Sequence, residues 1–281
     1  MPRRSPRPAN DRVVPLALRS LGSGSSGNSF VATNGDQAIV VDAGFSKRRM
    51  VAELRHLQDS GLSLAAIVLT HEHFDHSRGA IELARVSGAP IVATRGTLNA
   101  LAEGLSDPTI ARIAVGSTES FDIASFSIGF RPVRHDAQEP VGLSIAADDS
   151  VAVIAIDLGT ASKADADWMS NCDLLVIESN HDSTRLMNGP YPGHLKRRIA
   201  GRLGHLSNDQ AAACIAQAVG VGRARVIWLA HLSEVNNTRT EALHRARREV
   251  ADTEIAVAVC ARDRPSLTWS SGRQFRQATL W

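Results

Sequence analysis

The segment His71-Glu72-His73-Phe74-Asp75-His76 packs three of the chain's ten histidines and an aspartate into six residues. Imidazole and carboxylate together suit a borderline divalent cation such as zinc, with manganese and iron as the alternatives. The segment follows directly on an apolar run, residues 65–70. Side chains alternate along an extended backbone, so His71 and His73 project to one side and can share an ion. A turn after them lets Asp75 and His76 face a second ion beside the first. A polar loop that merely happened to hold histidine has no reason to interleave carboxylate with imidazole at the end of a buried strand.

One loop supplies too few donors for two ions, so other strand ends must contribute. His135 follows the run 127–133, Asp157 ends the run 151–156, and His231 ends the run 225–229. A lone histidine in such a place is more often a hydrogen-bonded loop residue. Three ligand-type residues, each just past an apolar run and all after the first cluster, read as one site. Asp42 closes a further run, 38–42, in the same manner.

These positions need a scaffold of strands, and the sequence supplies one. Besides the runs above, residues 90–93, 174–177 and 255–259 have strand character. Residues 47–58 carry Met50, Val51, Leu54 and Leu57 at the spacing of one buried helix face. Further helices are expected over 78–86, 195–203, 209–219 and 240–250, with Ser207 and Gln210 forming a capping box ahead of the third. Strands and helices alternate without an internal repeat, which predicts a single layered α/β-type domain. That domain is expected over residues 16–281. Residues 1–15, rich in Arg and Pro, are expected to be a disordered basic leader, with a nucleic-acid-binding arm as the alternative.

Composition narrows the function classes. With 281 residues and 43% apolar content the chain can build a substantial core, although aromatics are only 4% and Ala, Val, Ile and Leu must fill it. No stretch approaches the roughly 20 apolar residues of a membrane helix, and no apolar region follows the basic start as in a secretory signal. Cys172, Cys214 and Cys260 are odd in number and far apart, which fits buried thiols in a reducing cytosol and not a disulfide framework. The net charge is +2, but from Arg185 onward there are 15 Lys and Arg against 7 Asp and Glu. A basic C-terminal part is compatible with a polyanionic partner, and equally with solvated helix faces.

Asp42, the HxHxDH cluster, His135, Asp157 and His231 resemble, in order, the five motifs of the metallo-β-lactamase superfamily. The resemblance implies an αββα sandwich, a four-layer α/β fold, with metals at one edge between two sheets. It implies that His71, His73 and His135 bind one ion, that Asp75, His76 and His231 bind another, and that Asp157 bridges them. Asp42 would orient the ligands from behind. A more specific likeness is to the YycJ/VicX (WalJ) branch. It rests on Leu21-Gly22-Ser23-Gly24-Ser25-Ser26-Gly27-Asn28-Ser29, Glu178-Ser179-Asn180-His181-Asp182, Tyr191-Pro192 with Leu195-Lys196, Gly204-His205-Leu206-Ser207-Asn208, and His231-Leu232-Ser233 leading to Asn236-Asn237. Glu234-Val235 departs from that pattern at no expected ligand.

That branch resembles nucleases, so the implied reaction is metal-dependent phosphodiester hydrolysis with exonuclease action on DNA. Asp75 would orient or deprotonate the attacking water. His205, supported by Glu178, would contact the scissile phosphate or protonate the leaving oxygen; a structural residue at the cap of the following helix is the alternative. His181 has an even claim to a role, whereas His56, His194 and His244 read as surface or structural residues. The Gly/Ser loop 22–29 offers either backbone N–H groups for a phosphate or a flexible lip. Lys196, Arg197, Arg198 and Arg202 offer either a phosphate track or a solvated face. The interval between His135 and Asp157 is too short for the tRNA-gripping arm of tRNase Z-type enzymes. The interval between Asp157 and His231 is too short for an inserted β-CASP domain. Rival readings are a thioesterase or lactonase of glyoxalase II type, a persulfide dioxygenase with one iron, and a non-catalytic binding protein.

Overall fold

A computed structural model describes residues 15–272, so the expected leader, apart from Pro15, and the last residues of the expected domain lie outside the described residues. Its strands are β1 (Ala17–Gly22), β2 (Ser29–Asn34), β3 (Gln37–Val41), β4 (Ser63–Val68), β5 (Ile91–Thr94), β6 (Arg112–Val115), β7 (Ser120–Ile123), β8 (Phe126–Pro132), β9 (Val141–Ala147), β10 (Ser150–Ala155), β11 (Leu174–Glu178), β12 (Val226–Ala230), β13 (Ala256–Val259) and β14 (Thr268–Ser270). Its helices are α1 (Lys47–Asp59), α2 (Phe74–Ser77), α3 (Ala80–Ser87), α4 (Arg95–Ala100), α5 (Lys163–Ser170), α6 (Ser183–Asn188), α7 (Gly193–Ile199), α8 (Asn208–Val221) and α9 (Arg239–Arg248).

The strands form two seven-stranded sheets, β14-β1-β2-β3-β4-β5-β6 and β13-β12-β11-β10-β9-β8-β7. In each, four strands run parallel, β3 to β6 and β10 to β13, and the rest pair antiparallel. The sheets pack face to face through one apolar layer that includes Ile39, Val68, Ile128, Leu143, Ile154 and Trp228. The opposite faces are covered by helices. Met50, Leu54 and Leu57 of α1 pack on Val40 and Ile67, while α5, α8 and α9 cover Val153, Ile177 and Leu229. This is the αββα sandwich. Strands buried on both faces must be apolar at every position, which is why they stand out as continuous runs. Each fully buried Leu or Ile contributes about 1.5–3 kcal/mol relative to exposure.

The differences from expectation have local causes. The helix expected over 195–203 stops at Ile199, and residues 200–204 turn back. A Cβ on Gly204 would lie 2.2 Å from the carbonyl oxygens of Arg198 and Ile199, so only glycine allows that close return. The capping box of Ser207 and Gln210 is present at the start of α8. Strand β9 was not expected, because Gly142 and Ser144 interrupt its apolar pattern; a Cβ at Gly142 would meet the Trp168 ring at 2.6 Å. Strands β6 and β7 are short and half exposed, and give almost no periodic signal.

Candidate metal centre

The parallel strands β3, β4, β10, β11 and β12 bring their carboxyl ends to one edge of the sandwich. Asp42 follows β3, His71 comes just after β4, Asp157 after β10 and His231 after β12, and Glu178 is the last residue of β11. Strand β8 runs with β10, since both pair antiparallel with β9, so His135 arrives at the same edge. Ligand sites in such sheets gather outside the carboxyl ends of the strands. Asp42, Asp157 and His231 leave their strands with φ of 55°, 57° and 55°, the left-handed region that costs a non-glycine residue of order 1–3 kcal/mol. This conformation turns each side chain out of the strand line. Hydrogen bonds hold it there: Asp42 N donates to Val68 O at 2.9 Å, and His231 N to Ser23 Oγ at 2.9 Å.

All seven expected ligands meet at this edge. Nitrogen or oxygen atoms of His71, His73 and His135 lie within 4.8 Å of one another, and so do those of Asp75, His76 and His231. Asp157 forms a third such group with His71 and His76, one member of each set. Its Oδ2 lies 2.9 Å from His76 Nε2, and its Oδ1 lies 3.7 Å from His135 Nε2. His73 Nδ1 faces His135 Nε2 at 3.2 Å, and Asp75 Oδ2 faces His231 Nε2 at 3.4 Å. Donors on one tetrahedral ion with bonds of about 2.0–2.1 Å stand about 3.3 Å apart, so these separations fit a shared cation.

The outer ring nitrogens explain why the inner ones are available. His71 Nδ1 donates to Thr70 Oγ1 at 3.0 Å, His76 Nδ1 to Asp42 Oδ2 at 2.8 Å, His135 Nδ1 to Gly204 O at 3.1 Å, and His231 Nδ1 to Glu178 Oε1 at 3.0 Å. Each acceptor fixes the ring proton on Nδ1 and turns the Nε2 lone pair inward. His71 Nε2 and Asp157 Oδ2 are buried without a hydrogen bond, the mark of donors arranged for a cation. Burial holds the pKa of His71 well below its usual value, and that of His135 below it too, which keeps these rings neutral. Burial opposes charge on His76 and His231, but Asp157, joined at His76 by Asp42, outweighs it and raises both rings, His231 to about 9. Burial likewise pushes the Asp75 carboxyl up, and the two rings in their charged form outweigh it and hold Asp75 below the usual carboxylate range. A cation would displace their Nε2 protons.

The Gly/Ser loop is tied down on both sides of its exposed tip, Ser25 and Ser26. Among residues 23, 24, 27 and 28, every backbone N–H is already bonded within the protein. Asn28 is fully buried, and its Nδ2 lies 3.0 Å from His76 Nε2 and 3.4 Å from Asp75 Oδ2, bracing the second donor group. Asn28 stood in the sequence only as part of a motif. Its role follows from a contact across 48 residues that spacing cannot reveal. The loop reaches the cluster because Gly44 lets it: a Cβ there would lie 1.7 Å from Asp75 O. Gly44→Ala is therefore expected to lower the thermal midpoint by at least about 5 °C, checked by a melting curve with and without chelator.

Beside the cluster, Glu178 is wholly buried. Its Oε1 accepts from His205 Nδ1 at 2.8 Å as well as from His231, and its Oε2 accepts from the N–H groups of Leu158 at 2.9 Å and Leu206 at 3.1 Å. Burial raises its pKa, but His205 and His231 hold it down at about 2. With its acceptor sites filled, Glu178 acts through the two rings it orients. The His205 side chain is 19% exposed, and its ring lies 5.2 Å from that of His135 and 5.1 Å from that of His231, one from each donor group. Burial opposes charge on His205, but Glu178 and Asp157 prevail and push its pKa up to about 10, before the opposing field of any bound cation is added. His181 is buried, with burial lowering its pKa to about 4, and lies outside the donor groups. His56, His194 and His244 are exposed on helices. Arg198 pairs with Asp136 at 2.6 Å, Lys196 donates to Met187 O at 2.7 Å, and Arg197 and Arg202 are exposed.

Residues 37–232 match the family model described as a beta-lactamase superfamily domain, and these residues carry every donor above. The chain belongs to the metallo-β-lactamase superfamily. Within that superfamily it is 36% identical over 247 residues to the exodeoxyribonuclease WalJ of Streptococcus pneumoniae serotype 2, covering 85% of this chain and 90% of that one. It is 33% identical over 228 residues to the exodeoxyribonuclease YycJ of Bacillus anthracis, covering 80% and 85%. This is the YycJ/WalJ branch. Among solved structures, the superfamily fold is matched by YhfI from Bacillus subtilis, with a TM-score of 0.69, 17% identity and coverage of 92% of this chain and 100% of that one. Zn(2+)-bound PqqB from Methylobacterium extorquens matches with a TM-score of 0.62, 16% identity and coverage of 90% and 99%. These two likenesses concern the fold alone.

Proposed function

We propose that this metal-dependent hydrolase is an exodeoxyribonuclease that holds two divalent ions, zinc or manganese with iron as the alternative. In this reading His71, His73 and His135 hold one ion, Asp75, His76 and His231 the other, and Asp157 both, while Asp42 fixes the His76 ring. Such ions, when bound, would lower the pKa of a coordinated water and polarise the oxygens of a phosphodiester. Asp75, whose side chain is 25% exposed where that of Asp157 is 3%, is the carboxylate at the mouth and orients the attacking water or takes its proton. His205, held by Glu178, donates from its other nitrogen to the phosphate or the departing oxygen. The observation that carries the reading is the position of His205, close to both donor groups and buttressed by a buried carboxylate. A thiolate leaving from a thioester needs no such acid, whereas the alkoxide leaving from a phosphodiester does.

The names of the WalJ and YycJ relatives support DNA as the substrate. The same reading takes residues 16–281 as one hydrolase domain, residues 1–15 as a leader and the cytoplasm as the location. The location is supported by three buried free cysteines, and no helix among the described residues is long and apolar enough to cross a membrane. The test is a side-by-side assay of metal-reconstituted protein on end-labelled single- and double-stranded DNA, S-lactoylglutathione and a lactone. Stepwise release of nucleotides from labelled DNA is expected. Turnover of the thioester or lactone with intact DNA would overturn the proposal in favour of the glyoxalase II-type reading. Oxygen uptake with bound iron would favour the persulfide dioxygenase, and capture of DNA without cutting would favour a binding protein.

A further inference from the structure

Two of the large apolar side chains left exposed among the described residues border the metal centre, Phe74 at 69% and Leu203 at 53%. Phe74 sits between His73 and Asp75, on the first residue of α2, and His73 is that helix's N-cap. Phe74 belongs to none of the three apolar clusters of the fold. In a chain with only 4% aromatic residues, packing gives no reason to spend a ring there. The Arg78 guanidinium, one turn further on, lies 5.1 Å from the centre of the Phe74 ring. The carbonyl of Leu203 accepts from Asp136 N at 3.1 Å. The Asp136 carboxylate stands 3.5 Å from His135 Nε2 and 4.0 Å from His73 Nε2, so Leu203 lies just across Asp136 from the ligand rings.

We propose that Phe74 is the stacking platform for the nucleobase that flanks the scissile phosphate, with Arg78 beside it to meet the strand's charge. The inference rests on the nuclease reading and narrows its substrate. A base at a strand end keeps one face free of its neighbour, so the platform takes ends, of single strands or of duplexes, and not internal positions. Every base has a π-face, so the platform tolerates sequence while demanding a base.

The test compares single-stranded oligonucleotides with normal ends against ones whose last two residues are abasic. Cleavage rates are measured on plain strands and binding on strands with phosphorothioate ends, with metal content recorded for each protein. The parent is expected to favour the base-bearing end by about tenfold, as alanine substitution of stacking residues indicates. That ratio is expected to fall close to one in Phe74→Ala and to persist in Phe74→Trp. A parent indifferent to the missing bases, or a Phe74→Ala protein that keeps the preference with its metals in place, would overturn the stacking role while leaving the nuclease reading standing. A parent that neither binds nor cuts any of these strands would overturn both.

Discussion

Asp157→Asn is expected to lower phosphodiester hydrolysis by at least about a thousandfold and to leave the protein short of two ions per chain. Asp157 stands between the two donor groups, with Oδ2 2.9 Å from His76 Nε2 and Oδ1 3.6 Å from His231 Nδ1 and 3.7 Å from His135 Nε2. The substitution exchanges an anionic oxygen for an amide nitrogen with no lone pair to offer. It also removes one of the two carboxylates that would offset the charge of the cations. Asparagine tolerates the φ of 57° at this position better than alanine does, so the loss reads on the site and not on the fold. The check is an initial rate on labelled single-stranded DNA beside an elemental analysis of the same sample. A variant that keeps both ions and cuts within tenfold of the parent would show that Asp157 bridges nothing.

His205→Ala is expected to act differently: kcat falls by about 10²–10⁴, while metal content is unchanged. The distinction follows from geometry. His205 donates to Glu178, whose carboxylate still keeps His231 and the N–H groups of Leu158 and Leu206 when the ring is gone. The seven donors and their orientation therefore survive, and what is lost is a proton donor near the substrate oxygen. Steady-state kinetics with a metal assay measures the split. If the variant turns over as fast as the parent while Asp157→Asn is inactive, His205 is only a cap-region residue before α8.

The way the site assembles explains how much of it was legible in the sequence. Strands β3, β4, β10, β11 and β12 are buried on both faces, so their composition alone announced them, and the ligand-type residues at their ends stood out. His71, His73, Asp75 and His76 were legible because one loop holds them all. What spacing could not give was the direction of the side chains. Asp42, Asp157 and His231 reach the centre through left-handed backbone at a strand end, and no residue type there signals it strongly. Asn28 was hidden for another reason: its contacts to His76 and Asp75 join distant segments. Glu178 was expected to support His205, but its equal hold on His231 appears only once β11 and β12 lie side by side. The half-exposed strands β6 and β7 and the helix α5, capped in the structure by Ser162 and Asp165, lacked the apolar periodicity that carried the rest.

The centre itself also bears on stability. Ions that bind the folded chain and not the unfolded one stabilise it by mass action, about 2.7 kcal/mol at a free concentration one hundred times the dissociation constant. The left-handed residues at the strand ends draw on that stabilisation when the site is filled.

The most direct test of this account is the count of transition-metal ions retained per chain by protein that has been reconstituted and then desalted, measured by elemental mass spectrometry. Two ions per chain are expected, with His73→Ala and His231→Ala each losing about one. Protein that keeps its fold yet retains no transition metal, or whose metal is indifferent to both substitutions, would contradict it.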